Sequence, residues 1–171
     1  MDHLIKINHL DFFYPDTPNY NVLKDINLEI DRGDYFALIG PNGGGKSSLL
    51  KCILNIEKPT NGEIILENNL KIGYVPQFLD VDKKFPIKVK EVVISGRMKK
   101  GLSLFFKYKK EDYMLLDDVL KKTGLIELKD RQISQLSGGE FQKMMVARSL
   151  ISSPDILILD EPTSSTDENS S

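Results

Sequence analysis

The chain has 171 residues, of which 40% are hydrophobic, so one domain with its own core is expected. A formal net charge of −2 gives no overall attraction to nucleic acid, and no run of about 18 apolar residues predicts a membrane span. The single cysteine, Cys52, excludes an internal disulfide and suits a reducing compartment. Because the start also lacks a signal-peptide pattern, we expect a cytoplasmic protein.

The first part of the chain predicts antiparallel β structure. Apolar and polar residues alternate over residues 26–30, which is typical of a strand with one face in solvent, and a glycine-containing turn follows at residues 31–34. Residues 63–67 and 70–75 predict two further strands, joined by the Asn-Asn pair between them.

An apolar run followed by a glycine-rich loop gives the most specific motif. Residues 35–39 are continuously apolar, which predicts a short strand buried on both faces. Residues 40–47 then match the complete phosphate-loop pattern G-x-x-x-x-G-K-[ST], and helical spacing of the next apolar residues predicts a helix that begins near Lys46. This strand–loop–helix setting predicts a nucleoside triphosphate site; the alternative is a glycine-rich turn with a solvated lysine.

The residue types of the loop suit phosphate chemistry. Backbone N–H groups of residues 42–47 would converge on phosphate oxygens, and glycines leave room for that approach. Lys46 would contact the β and γ phosphates, the Ser47 hydroxyl would bind Mg²⁺, and the helix N-terminus would add a positive dipole end. The candidate nucleotide-binding residues of this segment are Gly40, Pro41, Asn42, Gly43, Gly44, Gly45, Lys46, Ser47 and Ser48.

The middle of the chain turns helical from about residue 91. One apolar face predicts a helix that ends at Gly124, with Tyr113, Leu116, Val119 and Leu120 as its members. Residues 97–110 combine basic and aromatic side chains without an acid. Such a composition fits single-stranded nucleic acid, an anionic membrane surface, or a solvated loop whose aromatic rings pack inward, and we favour the last.

Two motifs near the end carry further chemistry. Residues 156–159 predict a buried strand ending in Asp160 and Glu161, where Asp160 would hold Mg²⁺ and Glu161 would orient and deprotonate a water molecule. A strand that ends in a charged turn is the alternative. Ser137 and Glu140 form an S-x-x-E capping box that predicts a helix start, and such an N-terminus can receive an anion or be no more than a capped helix.

Together these motifs resemble the nucleotide-binding subunit of an ATP-binding cassette (ABC) transporter. Residues 136–140 match the signature motif of that family, and residues 74–77 resemble its glutamine loop. Residues 161–167 resemble its acidic strand end and dimer-contact loop. Tyr14 stands where the family places an aromatic ring against adenine.

The resemblance implies an α/β fold: a P-loop NTPase core with an N-terminal antiparallel β region and a helical lobe over approximately residues 80–150. Residues 1–171 would form a single, C-terminally incomplete ATP-binding domain. The implied cofactors are ATP and Mg²⁺, and the implied metal ligands are Ser47, Gln77 and Asp160. The implied catalytic residues are Glu161, Lys46 and Gln77.

The resemblance also implies partners. Two copies would close around two ATP molecules, and the γ-phosphate in one copy would be capped by the other copy's Ser137, Gly138 and Gly139. Transmembrane permease subunits would provide the only membrane contact, at the inner face of the cell membrane, and no nucleic acid is expected. Family members that act on DNA carry long coiled-coil insertions before the signature, which the short spacing here argues against.

The sequence gives weaker indications of the transported substrate and of whether this chain hydrolyses ATP. Residues 77–97 resemble the ATPases of bacterial zinc or manganese uptake systems, so a metal-ion importer is expected, with iron-siderophore importers as the alternative. The sequence stops at Ser171, before the further core strands and the switch histidine of the family, and neither His3 nor His9 stands where that histidine would. A nucleotide-binding fragment without turnover is therefore a further alternative.

Overall fold

The computed structural model of the chain contains two compact units, Met1–Leu70 and Lys71–Ser171. The residues that it describes are 3–16, 21–76, 85–98 and 107–160. Within these ranges no helix is both long enough and apolar enough to cross a membrane.

The first unit is built on a three-stranded antiparallel sheet in the order β2-β1-β3. The strands are β1 (His3–Phe12), β2 (Leu23–Asp31) and β3 (Asn61–Leu66). Strand β2 buries Leu23 and Ile30 and exposes the polar residues between them, which confirms the predicted strand with one face in solvent. Both histidines lie in β1, where each ring pairs with a carboxylate of β2.

The helix of this unit, α1 (Lys46–Ile53), begins at the residue that the sequence predicted. Leu49, Leu50 and Ile53 are buried on one side of it, so hydrophobic burial holds the helix in place. Cys52 is buried in the same helix, and this burial raises the pKa of its thiol. Cys52 therefore packs as a small apolar residue.

The predicted buried strand at residues 35–39 is wrong. These residues belong to none of the strands that the structure describes, and the side chains of Tyr35 and Ile39 are 98% and 94% exposed. An apolar run becomes a buried strand only where neighbouring strands bond its backbone and other layers cover both faces. The three-stranded antiparallel sheet of this unit does not incorporate the run.

Among the described residues, the second unit contains a parallel strand pair and three α-helices. Strands β4 (Ile72–Val75) and β5 (Ile156–Leu159) pair in parallel. Parallel neighbours need a long crossover, and the chain between them provides α2 (Val89–Ile94), α3 (Lys110–Lys122) and α4 (Gly138–Leu150). The predicted strands on either side of the Asn-Asn turn are thus present but belong to different sheets.

The core of the second unit lies among its helices. Helix α3 buries Leu116, Val119 and Leu120 as predicted, whereas Tyr113 at the edge of that face is 54% exposed. The helix ends before Gly124, which has the left-handed φ of +70° that favours glycine at this position. Side chains of α2 and α4 complete the core, among them Val89, Val93, Phe141, Met144, Met145 and Ala147.

Residues 97–110, the segment that combines basic and aromatic side chains, fall within the described residues only at their two ends. Arg97 Nε donates to Asp112 Oδ1 at 2.9 Å, and the other carboxylate oxygen of Asp112 accepts from the backbone N–H of Lys109. These bonds hold the pKa of Asp112 below its ordinary value, the backbone bond contributing most. Tyr108 packs against the helical core, and residues 99–106 lie outside the described ranges, so the function of the segment stays a prediction.

The chain directly after α2 packs closely against the end of α4 at Gly96, in the short 3-10 turn Ser95–Arg97. A Cβ atom on Gly96 would overlap the backbone oxygen of Arg148 and lie 2.7 Å from Ile151 Cγ2. We expect Gly96→Ala to lower the free energy of unfolding by about 1–3 kcal/mol, because the helices must separate to admit the methyl group. Urea unfolding measures this effect.

The control for this substitution is Ser134→Ala at an exposed position of the same unit. It should change the free energy of unfolding by no more than about 0.5 kcal/mol. Equal stability of Gly96→Ala and the wild type would contradict the close contact of Gly96 with Arg148 and Ile151.

Candidate functional site

The phosphate loop of the first unit depends on two left-handed glycines. Gly43 has φ of +78° and Gly45 has φ of +83°, and Gly45 is the residue that caps α1. A Cβ atom on Gly45 would lie 2.8 Å from the backbone oxygen of Val22. A side chain at Gly45 would therefore collide with Val22, so the chain can enter the helix here only through a glycine. Residues 40–44, which form the rest of the loop, are exposed to solvent.

The side chain of Lys46 folds back onto this loop. Lys46 Nζ donates to the backbone oxygens of Gly40 and Pro41 at 2.9 and 3.0 Å. The N–H of Gly44 donates to the same Pro41 oxygen at 3.0 Å, which closes a turn within the loop. The positive charge thus lies against the glycine-rich loop, and its contact with the β and γ phosphates stays a prediction.

The start of α1 is electrostatically suited to an anion. Its first turn contains no acidic residue, and Gly45 has no side chain with which to cap it. The first N–H groups of a helix lack partners within the helix, and the dipole is positive there. Ser47, the second residue of the helix, is half-buried at this end. The loop and the helix start can together bind a phosphate group.

Tyr14 contacts the same helix. Its hydroxyl lies 3.1 Å from Ser48 Oγ, and its ring meets the ring of Phe12 edge-on with centroids 4.9 Å apart. The structure therefore brings Tyr14 next to the phosphate-loop helix, although its contact with adenine stays a prediction. The sequence did not predict the bond between Tyr14 and Ser48, because no local pattern links residues so far apart.

In the second unit, Asp160 follows β5 and is buried, with 7% of its surface exposed. Its N–H donates to the backbone oxygen of Val75 at 3.0 Å, which extends the strand pairing to the carboxylate. The hydroxyl of Tyr74 donates to Asp160 Oδ2 at 3.3 Å. Burial raises the pKa of Tyr74, and the neighbouring Asp160 charge adds to this, so the phenol keeps its proton.

This carboxylate suits magnesium. Mg²⁺ prefers hard oxygen ligands and is commonly bound through one or two carboxylates together with phosphate and water. The described part of the chain holds no group of three or more His, Cys, Asp or Glu side chains that could bind a metal by themselves. Two other predicted site residues, Gln77 and Glu161, lie outside the described residues.

The capping box at the start of α4 is confirmed. Ser137 Oγ accepts from the N–H of Glu140 at 3.3 Å, and Glu140 Oε2 accepts from both the N–H and the hydroxyl of Ser137 at 2.8 Å. These bonds lower the pKa of Glu140, the backbone bond contributing most. Gly138 and Gly139 are exposed, and a Cβ atom on either would meet no atom of the described residues within 4 Å. None of those residues covers the two glycines at the helix start.

Known proteins resemble this chain over most of its length. The sequence profile of a family described as "ABC transporter" matches residues 23–164. A probable ABC transporter ATP-binding protein of Cyanophora paradoxa is 41% identical over 169 residues, which cover 95% of this chain and 68% of that protein. The zinc import ATP-binding protein ZnuC of Hydrogenovibrio crunogenus is 41% identical over 149 residues, which cover 87% of this chain and 57% of that protein.

The solved structures agree with these relatives. The protein cbiO1 from Clostridium perfringens, part of the ABC transporter complex cbiONQ, is 33% identical with a TM-score of 0.81. The likeness covers 98% of this chain and 68% of that one, and it confirms the predicted α/β fold class. The chain thus spans between 57% and 68% of the length of these three proteins.

Ser137→Ala tests the cap. Removal of the hydroxyl should destabilise α4 by about 1 kcal/mol, because the N–H of Glu140 loses its acceptor. The pKa of Glu140 should rise part of the way toward its ordinary value of 4.5, since the N–H of Ser137 still donates to the carboxylate. A ¹³C NMR titration of the Glu140 carboxyl measures this pKa.

The sign of the pH dependence follows from the lowered pKa. The stability that the Glu140 carboxylate contributes is present above its unfolded pKa, near 4.5, and is lost as pH falls through the lower folded value. Wild type and Ser137→Ala should therefore differ less in urea unfolding at strongly acidic pH than at neutral pH. An identical Glu140 pKa in both proteins would show that the hydroxyl bond does not form in solution.

Proposed function

Since the chain belongs to the ABC transporter family, we propose that it binds ATP and, in the full-length protein, hydrolyses it to power transport. The observation that carries this proposal is the Lys46 ammonium, held against the carbonyl groups of a glycine-rich loop at the start of α1. An anion with several oxygens is the ligand that such a loop, lysine and helix dipole recognise together.

The nucleotide-binding role is assigned to residues 40–48 and Tyr14. Loop N–H groups would hold the triphosphate, and the Lys46 ammonium would transfer from the loop carbonyls to the β and γ phosphates. Tyr14 would place its ring against adenine, which its contact with Ser48 supports by fixing the phenol near the helix start.

The chemical step is assigned to residues at the start of α1 and to residues that follow β4 and β5. Ser47, Gln77 and Asp160 would hold Mg²⁺, which when bound neutralises charge on the β and γ phosphate oxygens. Glu161 would orient the attacking water and accept its proton. Lys46 would stabilise the charge that develops on the γ-phosphate, because phosphoryl transfer depends on positioning and charge neutralisation more than on covalent help.

A second copy of the chain would complete each site. The exposed start of α4, with the N–H groups of Gly138 and Gly139, would donate to the γ-phosphate held by the partner copy. The hydroxyl of Ser137 would join them by turning its proton from Glu140 to the phosphate. Donors supplied in this way make turnover depend on closure of the dimer. Signals from a membrane subunit can then control hydrolysis.

Transmembrane permease subunits are the other proposed partners, at the inner face of the cell membrane. A groove of about 830 Å³ in the second unit supports a protein contact, since apolar and aromatic side chains line it, among them Phe85, Ile87, Met98, Tyr108 and Tyr113. Phe85 is 61% exposed there. The likeness to a zinc import protein favours a metal-ion importer, of the zinc or manganese type.

Lys46→Ala tests the nucleotide site. Loss of the ammonium should weaken ATP binding roughly tenfold to a hundredfold, because bonds to charged groups contribute about 1.5–3 kcal/mol. Titration with a fluorescent ATP analogue measures the dissociation constant. Lys51→Ala, a lysine in the last turn of the same helix, is the control and should bind as the wild type does. An unchanged dissociation constant in Lys46→Ala would refute the assignment.

Glu161→Gln tests the proposed base. The amide cannot accept the proton of the attacking water, so turnover in the full-length protein should fall on the order of a hundredfold or more while ATP binding persists. Phosphate release and nucleotide titration measure the two properties separately. The exposed Glu127→Gln is the control. Undiminished hydrolysis by Glu161→Gln would exclude Glu161 as the base.

A further inference from the structure

The hydroxyl of Tyr74 contacts the carboxylate of Asp160, but Tyr74 has no role in the function proposed above. We propose that Tyr74 is a positioning residue, which orients the Asp160 carboxylate and thereby sets the affinity of the nucleotide site for Mg²⁺. This inference rests on the proposed function, because it takes Asp160 as a ligand of the nucleotide-bound metal.

The strand register explains why these two side chains meet. Tyr74 lies opposite Ile158 in the parallel pair of β4 and β5. Side chains two residues apart on a strand point to the same face, so Asp160 shares the face of Ile158 and is the diagonal neighbour of Tyr74. An aromatic side chain is long enough to span such a diagonal, and the phenol oxygen reaches Asp160 Oδ2 at 3.3 Å.

The backbone of Tyr74 is fixed from two sides. The strand pairing with β5 holds one side, and Ser149 Oγ of α4 donates to the backbone oxygen of Tyr74 at 3.1 Å. Beyond Tyr74, the pairing continues through Val75, whose oxygen accepts from the N–H of Asp160. The phenol and the carboxylate are therefore carried by the same rigid strand pair, which limits their relative movement.

The hydrogen bond between Tyr74 and Asp160 has one donor and one acceptor. The hydroxyl of Tyr74 is the donor and the carboxylate of Asp160 is the acceptor, because an ionised carboxylate has no proton to donate. A donor fixed on one carboxylate oxygen restricts rotation of the whole group and so sets the direction in which both oxygens point. Groups that orient a metal ligand in this way commonly change metal affinity when they are removed.

The test measures how Mg²⁺ and nucleotide affinity are linked in the full-length protein. A non-hydrolysable fluorescent ATP analogue is titrated in EDTA and then at increasing Mg²⁺. Tyr74→Phe keeps the ring and removes only the hydroxyl. We expect an unchanged dissociation constant in EDTA, and about a fivefold higher Mg²⁺ concentration for half of the metal-induced tightening.

Three comparisons make the result specific. Tyr35→Phe removes the hydroxyl of an exposed tyrosine that has no assigned role, and it should leave the Mg²⁺ midpoint unchanged. Asp160→Asn should weaken the metal effect strongly, and adding Tyr74→Phe to Asp160→Asn should then shift the Mg²⁺ midpoint no further, since the tyrosine acts through the carboxylate.

Two outcomes would overturn the role of Tyr74. One is a Mg²⁺ midpoint in Tyr74→Phe equal to that of the wild type, and the other is an equal loss of affinity with and without Mg²⁺, which would indicate general damage to the site. A wild-type protein whose nucleotide affinity ignores Mg²⁺ would instead overturn the proposed metal site itself. The failure of this inference is thus distinguishable from the failure of the proposed function.

Discussion

The anion-binding loop of the first unit depends on the contact between the Lys46 ammonium and the carbonyl oxygens of Gly40 and Pro41. This contact requires the loop to bend back over the start of α1, and this bend is possible because Gly43 and Gly45 adopt left-handed conformations. Burial of the apolar face of α1 holds the helix, and the helix fixes the lysine. The anion-binding chemistry therefore depends on packing that lies behind the loop.

The second unit must also hold a charged group in place, the carboxylate of Asp160, and it does so with hydrogen bonds between strands. Asp160 is a buried carboxylate, and a buried charge is costly without hydrogen-bonding partners. The parallel pairing of β4 and β5 supplies a donor from the neighbouring strand, the hydroxyl of Tyr74. The same strand is bound to α4 through Ser149, so the helix that begins with the signature motif and the acidic strand end share one framework.

The sequence predicted most of the elements, and its failure at residues 35–39 has a physical cause. Hydrophobic spacing predicted α1 and the buried face of α3, because a helix satisfies its own backbone and needs only one apolar side. A buried strand instead needs neighbours on both edges and cover on both faces. The apolar run at residues 35–39 carries the composition of such a strand, but its side chains are exposed in this unit.

By itself, the sequence determined the features that are formed within a few residues. The start of α1 at Lys46 and the capping box of Ser137 and Glu140 depend on short spacings, and both are present as predicted. Only the tertiary structure decided the bond of Tyr14 to Ser48 and that of Tyr74 to Asp160, which join residues 34 and 86 positions apart. The reason is that local hydrogen bonds are set by neighbouring residue types, whereas strand register and helix packing select which distant side chains meet.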